Sequence, residues 1–380
     1  MNRRPRVGFF REVFLPPSET FIASSLDALA RHSRYEVPVF GLRRHPIRRF
    51  PEPAELRVLE DETLGALESR LYRAGLVSPR MVAWARSVDL VHAHMGHVGV
   101  HALVNSTLAS RPLVLSYYGR DVSLLRSPER HAPRHWHYLA LHRVLWRLVA
   151  RIHVLSDHMR RDLVDSGVPG EKVRIVPLGL ELGRFGPPSE RRGRTVVLMV
   201  GREVEKKGFD DGLRACALAR REVPIEVWFL GFGEPGQGPL RRLADELGLE
   251  VSWLDPRHEV AHAMREAAVV LVPSRTASDG DQEGTPTVIY EAMASSLPVV
   301  ATRHAGIPEQ VADGVSGLLA AERDVDGLAV HLVTLARDPA MRYEMGRAGR
   351  LRVERDNSLA ALGRNLQTSY DELLVARTPR

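Results

Sequence analysis

Apolar runs recur along the chain in two sets of six. RVGFF, YEVPVFGL, DLVHAH, PLVLSYY, RIHVLS and VRIVPLG lie in the first half; TVVLMVG, IEVWFLG, LEVSWLD, VVLVPS, PVVATR and SGLLAA lie in the second. Nearly every position in these runs is apolar, where a strand with one wet face would alternate. Each run therefore predicts a strand covered by helices on both sides. Between them, segments such as GLRACALARREV and PLRRLADELGL place apolar residues at three- and four-residue intervals, which predicts amphipathic helices. Strand and helix alternate throughout, so the expected class is α/β, with two Rossmann-like, doubly wound parallel sheets. The join is LGLELGRFGPPSERRGR, where two prolines, several glycines and a charge cluster separate the sixth and seventh strands, giving domains 1–184 and 185–356. Two such domains facing each other would bring the carboxyl ends of both sheets onto one shared cleft.

With 380 residues and 44% hydrophobic side chains, each half has enough apolar surface for a core of its own. No run approaches the roughly 18 to 20 consecutive apolar residues that cross a bilayer. The N-terminus runs into a strand without the apolar stretch and cleavage site of a signal peptide, so the expectation is a cytoplasmic protein. Cys216 is the only cysteine and cannot form an internal disulfide, which suits a reducing compartment. The 53 basic residues exceed the 47 acidic ones by six, and the arginines are scattered among acids, so bulk nucleic-acid binding is not indicated. Only three of the basic residues are lysines, Lys172, Lys206 and Lys207, and two of those are adjacent.

The stretch DGDQEGTPTVIYEAMASSLPVVAT carries the most chemistry. Thr285 is a suitable N-cap with Pro286 at the first helical position, so a helix is expected to start beside Glu283 and to carry Glu291 in its second turn. The free amides at that helix start form an anion site, and the carboxylates offer acceptors for hydroxyl groups. A ligand with a phosphate flanked by two polyols would match both; the plainer reading makes both residues solvated acids. In VGREVEKKGFDDG, directly after the strand TVVLMVG, Arg202 and Lys207 extend from a strand-to-helix turn where cations could grip a diphosphate.

Two patterns imitate other sites. Gly231, Gly233 and Gly236 form GxGxxG with Asp255 downstream, but Pro235 and Pro239 fall where a dinucleotide fingerprint needs a helix. Asp279, Asp281, Glu283 and Gly284 resemble the opening of a calcium loop or a DxD metal site, but Tyr290 stands at the twelfth position and Pro286 interrupts the loop. In the first half, His92, His94, Tyr118 and Asp121 end predicted strands and would point towards the cleft, with structural capping as the plainer role. Ser18 is placed as the N-cap of a further helix. The helix HAPRHWHYLALHRVLWRLVAR, with His131, His135, His137, Arg143, Arg147, Trp136 and Trp146, offers an anionic membrane surface as a partner, and packing on the first domain as the simpler destination.

The run EGTPTVIYEAMASSLPVVATRHAGIPEQVADGVSGLL resembles the signature of retaining glycosyltransferase family 4, the glycosyl transferases group 1 proteins of GT-B fold. VGREVEKKGFD, FLGFGEPGQGPLRRLADELGL and VRIVPLGLELGRFGP match as well, and together they cover most of residues 88–356. SETFI is similar to the branch that builds exopolysaccharides of the colanic-acid type and some sugar-decorated natural products. The resemblance implies a nucleotide-sugar donor in the second domain and a saccharide, lipid-linked or small-molecule acceptor. Arg202 and Lys207 would hold the diphosphate, Glu283 with the amides of Gly284 and Thr285 the sugar hydroxyls and phosphate, and Glu291 the ribose. Asp121 falls in the family's T-x-H-G-x-D segment as a donor-side residue, and Tyr118 stands where the family commonly has His. Anomeric configuration would be retained without a metal or other cofactor, and a C-terminal helix near 357–374 would cross back onto the first domain. Two further departures are PPSET, where relatives carry glycines, and Leu178, where the hinge often has Asn. A sugar-nucleotide epimerase of the same architecture, or a degenerate transferase that only binds its donor, are the competing functions.

Overall fold

All twelve apolar runs form strands in the computed structural model, which describes residues 3–14, 19–46, 51–124, 136–188, 195–232, 238–255 and 259–375. The first sheet contains β1 (Val7–Phe14), β2 (Val39–Arg44), β3 (Leu56–Val58), β4 (Leu90–His94), β5 (Leu113–Ser116), β6 (Arg151–Val154) and β7 (Val173–Ile175). They are all parallel, in the order β3-β2-β1-β4-β5-β6-β7. The second sheet contains β8 (Thr195–Arg202), β9 (Ile225–Phe232), β10 (Val251–Leu254), β11 (Val269–Val272), β12 (Val299–Thr302) and β13 (Gly317–Ala320). It is also parallel, in the order β10-β9-β8-β11-β12-β13. Among the described residues, the one strand the apolar pattern does not announce is β3, whose three residues LRV are only partly buried and too few to form a run.

The chain divides into two units, Met1–Gly179 with Leu359–Arg380, and Leu180–Ser358. The division falls ahead of the predicted 184/185 boundary because the first hinge residues pair within the second unit: the Leu180 N–H donates to the Asn357 carbonyl at 2.8 Å. In the first unit, Val7, Phe9, Ile22, Leu29, Val39 and Leu90 share one core with Leu359, Leu362, Leu366 and Tyr370. The last four belong to the helix Leu359–Val375, whose apolar stripe is thereby buried against the helix Thr20–His32 and the sheet. Gly363 permits the close approach of the two helices, since a Cβ there would stand 2.8 Å from the Ala28 carbonyl oxygen. In the second unit, Val197, Met199, Leu213, Phe229, Leu271 and Leu332 anchor a separate core.

Candidate active site

In a parallel α/β sheet, the loops that leave the carboxyl ends of neighbouring strands lie side by side. β8, β11, β12 and β13 are consecutive neighbours in the second sheet, so the loops after them gather at one end of the unit. The loop after β8 carries Lys206 and Lys207 and leads into the helix Phe209–Arg220. The loop after β11 carries Asp281 and Glu283 and leads into the helix Thr287–Ala294.

These two loops are locked by charge. Lys207 Nζ lies 3.1 Å from Glu283 Oε2, and Lys206 Nζ lies 3.0 Å from Asp281 Oδ2 and 3.6 Å from Glu283 Oε1. Lys206 Nζ also donates to the Gln282 carbonyl at 3.2 Å. The Lys206, Lys207 and Glu283 side chains are only 12%, 15% and 10% exposed, so these pairs are far less screened than surface ones. Burial works against charge on Glu283, yet Lys207 and Lys206 hold its carboxyl below the usual carboxylate range. The Lys207 stem folds back over Gly201, where a Cβ would stand 3.4 Å from Lys207 Cε. Arg202, next in the chain, is exposed at the end of β8. Arg275 donates to Asp210 at 3.0 Å and to Asp211 at 2.6 Å, which fastens the start of the helix Phe209–Arg220 to the loop after β11.

The helix Thr287–Ala294 has Pro286, not Thr285, at its N-cap, and no side chain caps it. The predicted cap is displaced by one residue because Pro286 adopts an extended ψ of 118° and cannot enter the first turn. Thr285 is consequently left beside the helix start with Oγ1 buried and without a hydrogen-bond partner, 8% exposed. Gly284 is partly buried between Thr285 and Glu283. A buried hydroxyl without a partner at a helix start is able to bond a ligand oxygen.

Glu291 lies on the same helix. Burial pushes its carboxyl up to about 7, and Arg184 and Lys207 pull it back only in part. Lys207 therefore acts on Glu283 and Glu291 together. Between its ordinary 4.5 and about 7, the folded protein holds a proton that the unfolded chain has released, so stability falls as pH rises through that window. Replacing Glu291 with Gln removes that penalty. We expect the variant to gain on the order of 1 to 2 kcal/mol over wild type at pH 8 and nothing at pH 4, measured by chemical denaturation.

The first-unit candidates are held within their own unit. His92 and His94 are fully buried. His92 bonds the Tyr370 hydroxyl through Nδ1 at 2.6 Å and the Ser116 hydroxyl through Nε2 at 2.8 Å, and burial depresses it to about 3. His153 Nε2 lies 2.7 Å from Ser369 Oγ. These histidines receive the C-terminal helix. The Tyr118 hydroxyl lies 2.7 Å from His94 Nδ1, and burial raises the phenol above its ordinary value. Asp121 accepts from the backbone N–H groups of Gly96 at 2.8 Å and Tyr118 at 3.1 Å, joining the start of the helix Gly96–Leu108 to the end of the fifth strand's loop.

Ser18, His131, His135, Gly233, Pro235 and Gly236 lie outside the described residues. The helix expected after Ser18 starts at Thr20 with Glu19 at its N-cap, and Glu19 is turned onto Arg11, which donates to it through Nε at 3.0 Å and Nη2 at 2.5 Å. The Glu19 side chain therefore makes no hydrogen bond to the helix amides. Asp281 of the apparent DxD motif is engaged by Lys206, and Asp279 accepts from the Asp281 N–H at 2.9 Å.

Two separate parallel-sheet units, each with its own core, are the arrangement expected of a GT-B fold. The sequence pattern of the glycosyl transferases group 1 matches residues 194–338, and that of a glycosyl transferase 4-like domain matches residues 18–179. The putative colanic acid biosynthesis glycosyltransferase WcaL of Escherichia coli is 29% identical over 97% of this chain and 100% of its own. The amylovoran biosynthesis glycosyltransferase AmsK of Erwinia amylovora is 30% identical over 80% of this chain and 74% of its own. Among solved structures, Anabaena HepE in complex with UDP and glucose superposes with a TM-score of 0.74 at 19% identity, covering 97% of this chain and 100% of that one. The chain belongs to the glycosyl transferases group 1 family.

Proposed function

We propose that the enzyme is a retaining hexosyltransferase. It takes its sugar from a nucleoside-diphosphate donor and delivers it to a hydroxyl of a saccharide, lipid-linked or small-molecule acceptor in polysaccharide assembly. The observation that carries this reading is the Lys207–Glu283 pair, 3.1 Å apart, beside the unused Thr285 hydroxyl at the start of the helix Thr287–Ala294. As the glycosidic bond to phosphate breaks, negative charge grows on the leaving diphosphate and positive charge on the sugar ring. Lys207, exposed Arg202 and the helix-start amides of Gly284 and Thr285 suit the first charge, and the Glu283 carboxylate the second. Glu283 stays ionised against burial, so it can accept from sugar hydroxyls. Glu291, one turn further, is suited to the ribose. In a front-face displacement the departing phosphate oxygen takes the acceptor's proton, so the chain need not supply a base, a metal or another cofactor. Tyr118 and Asp121 are carried over as donor-side residues by their place in the family's segment, and Asp121 orders the backbone of Gly96 and Tyr118. The exopolysaccharide names of the relatives support the polymer context.

Incubating the purified chain with UDP- and GDP-hexoses, with and without saccharide acceptors, and reading products by mass spectrometry and anomeric coupling constants, tests the reading. Transfer with retained configuration, unaffected by a chelator, is expected. Conversion of the donor without acceptor would instead indicate an epimerase, and binding without turnover a degenerate transferase.

A lipid-linked acceptor calls for contact with a bilayer. The helix Trp136–Leu148 suits this: Trp146 is buried, while Trp136, Leu141, Val144 and Leu148 are 57%, 42%, 45% and 60% exposed beside exposed Arg143 and Arg147. We expect the protein to float with phosphatidylglycerol liposomes, and a variant with Trp136, Leu141 and Leu148 changed to Ser to remain in solution.

A further inference from the structure

We propose that His304 and Glu322 are positioning residues for the donor site, a carboxylate–imidazole pair that fixes the loop bearing Glu283. This inference rests on the sugar-nucleotide reading and adds two residues to it. His304 follows β12 and Glu322 follows β13, so adjacent strand ends bring together residues that are 18 positions apart in the chain. His304 is fully buried.

The loop from Thr276 to Glu283 has no regular secondary structure. Its internal bonds are local: the Ala277 N–H donates to the Asp281 carbonyl at 3.0 Å, and the Gly280 N–H to the Ala277 carbonyl at 2.9 Å. Both of its ends are tied to the same pair. Glu322 Oε2 accepts from the Thr276 N–H at 2.9 Å, and His304 Nε2 accepts from the Glu283 N–H at 3.0 Å. The two side chains meet through His304 Nδ1 and Glu322 Oε1 at 2.6 Å.

Hydrogen-bond chemistry leaves one consistent arrangement. The Glu283 amide can only donate, so His304 Nε2 must present its lone pair. The ring proton is then on Nδ1 and is donated to Glu322, which accepts with both oxygens as a carboxylate. Any change that places a proton on Nε2 sets two donors against each other inside a dry site. The loop held this way carries the Asp281 carboxylate, the Gln282 carbonyl and the Glu283 carboxylate, all gripped by Lys206 or Lys207. The pair thereby sets where Glu283 stands relative to Lys207, without itself touching the ligand.

The substitutions separate this role from simple packing. Glutamine at position 304 has an amide oxygen able to accept from the Glu283 N–H and an NH₂ group able to donate to Glu322, so both bonds can survive. Alanine leaves the Glu283 N–H buried and unpaired. Glutamine at position 322 has one acceptor oxygen for two donors, so either the Thr276 bond fails or the imidazole changes tautomer.

The test is a calorimetric titration of UDP, GDP, UDP-glucose and GDP-mannose into the full chain, with melting temperatures recorded for every variant. His304→Ala and Glu322→Gln should weaken binding of the sugar nucleotide by about tenfold or more, with His304→Gln within about threefold of wild type, the scale expected for groups that orient a ligand-binding residue. Equal binding by His304→Ala and wild type, or His304→Gln as weak as His304→Ala, would overturn the role. Because the alanine variant can fail to fold, ¹⁵N spectra of the wild-type histidines give an independent reading: His304 should carry its proton on Nδ1, and a protonated Nε2 overturns the arrangement. Wild-type protein that binds none of the four probes overturns the sugar-nucleotide reading and this role with it. Wild-type binding with an unaffected His304→Ala variant overturns the role alone.

Discussion

Exchanging Glu283 for glutamine will lower kcat/KM for sugar transfer by at least about a hundredfold while the protein stays folded. The Glu283 side chain is 10% exposed, and its carboxylate is the shared partner of Lys206 and Lys207. Glutamine preserves its size and one acceptor oxygen but removes the negative charge proposed to face the sugar as its ring becomes cationic. It also leaves two lysines with Asp281 as the remaining carboxylate partner, so Lys207 loses the neighbour that fixes its ammonium. Lys207→Ala should cost a similar factor by withdrawing charge from the leaving diphosphate. Since the two side chains touch, the double variant should lose much less than the product of the single losses. Steady-state kinetics on the three variants, with folding followed by circular dichroism, gives the answer. Turnover near wild type in Glu283→Gln would remove the residue from the site.

Gly208→Ala is expected to damage both stability and donor binding. Gly208 has φ of +61°, and a Cβ there would stand 2.0 Å from the Pro273 carbonyl oxygen. The clash is with backbone, so no side chain can swing away. Left-handed strain and overpacking together should cost on the order of 3 kcal/mol. The displaced residue lies between Lys207 and the helix Phe209–Arg220, so the ammonium moves with it. Gly248 provides the control: it also has φ of +61°, but a Cβ there meets nothing within 4 Å. Gly248→Ala should therefore carry the conformational strain alone, about 1 kcal/mol, and leave nucleotide affinity unchanged. Urea denaturation and nucleotide titration on both variants separate the terms, and equal losses in the two would refute the argument.

The architecture was legible because strands covered on both faces are apolar at nearly every position, whereas the three-residue strand Leu56–Val58 is too short and too polar to show such a run. Spacing singled out the two loops that meet at Lys207, whose ammonium acts on both Glu283 and Glu291. What spacing could not supply was the direction of side chains fixed by distant chain. His92 and His94 share a face at a two-residue interval, as strand geometry requires, but both are buried there, His92 on Tyr370 of the C-terminal helix and His94 on Tyr118. The cap moved from Thr285 to Pro286 because the proline extends the backbone before the helix. Lys206 is adjacent to Lys207 in the chain, yet Asp281 and the Gln282 carbonyl give it partners that Lys207 does not have. His304 and Glu322 carried no signal, since their pairing depends on which strands are neighbours. The adjacent acid Asp281 and the lone histidine after β12 become informative only once the strand order is known.

The central claim is that Lys207, Arg202, Glu283 and Glu291 serve one pyrophosphate-linked sugar. A crystal structure of the full chain soaked with UDP-glucose or GDP-mannose tests it most directly. The account predicts the diphosphate at Lys207 and the amides ahead of the helix Thr287–Ala294, sugar hydroxyls on Glu283, and ribose on Glu291. Nucleotide density at another face of the unit, with the Lys207–Glu283 pair untouched, would contradict it.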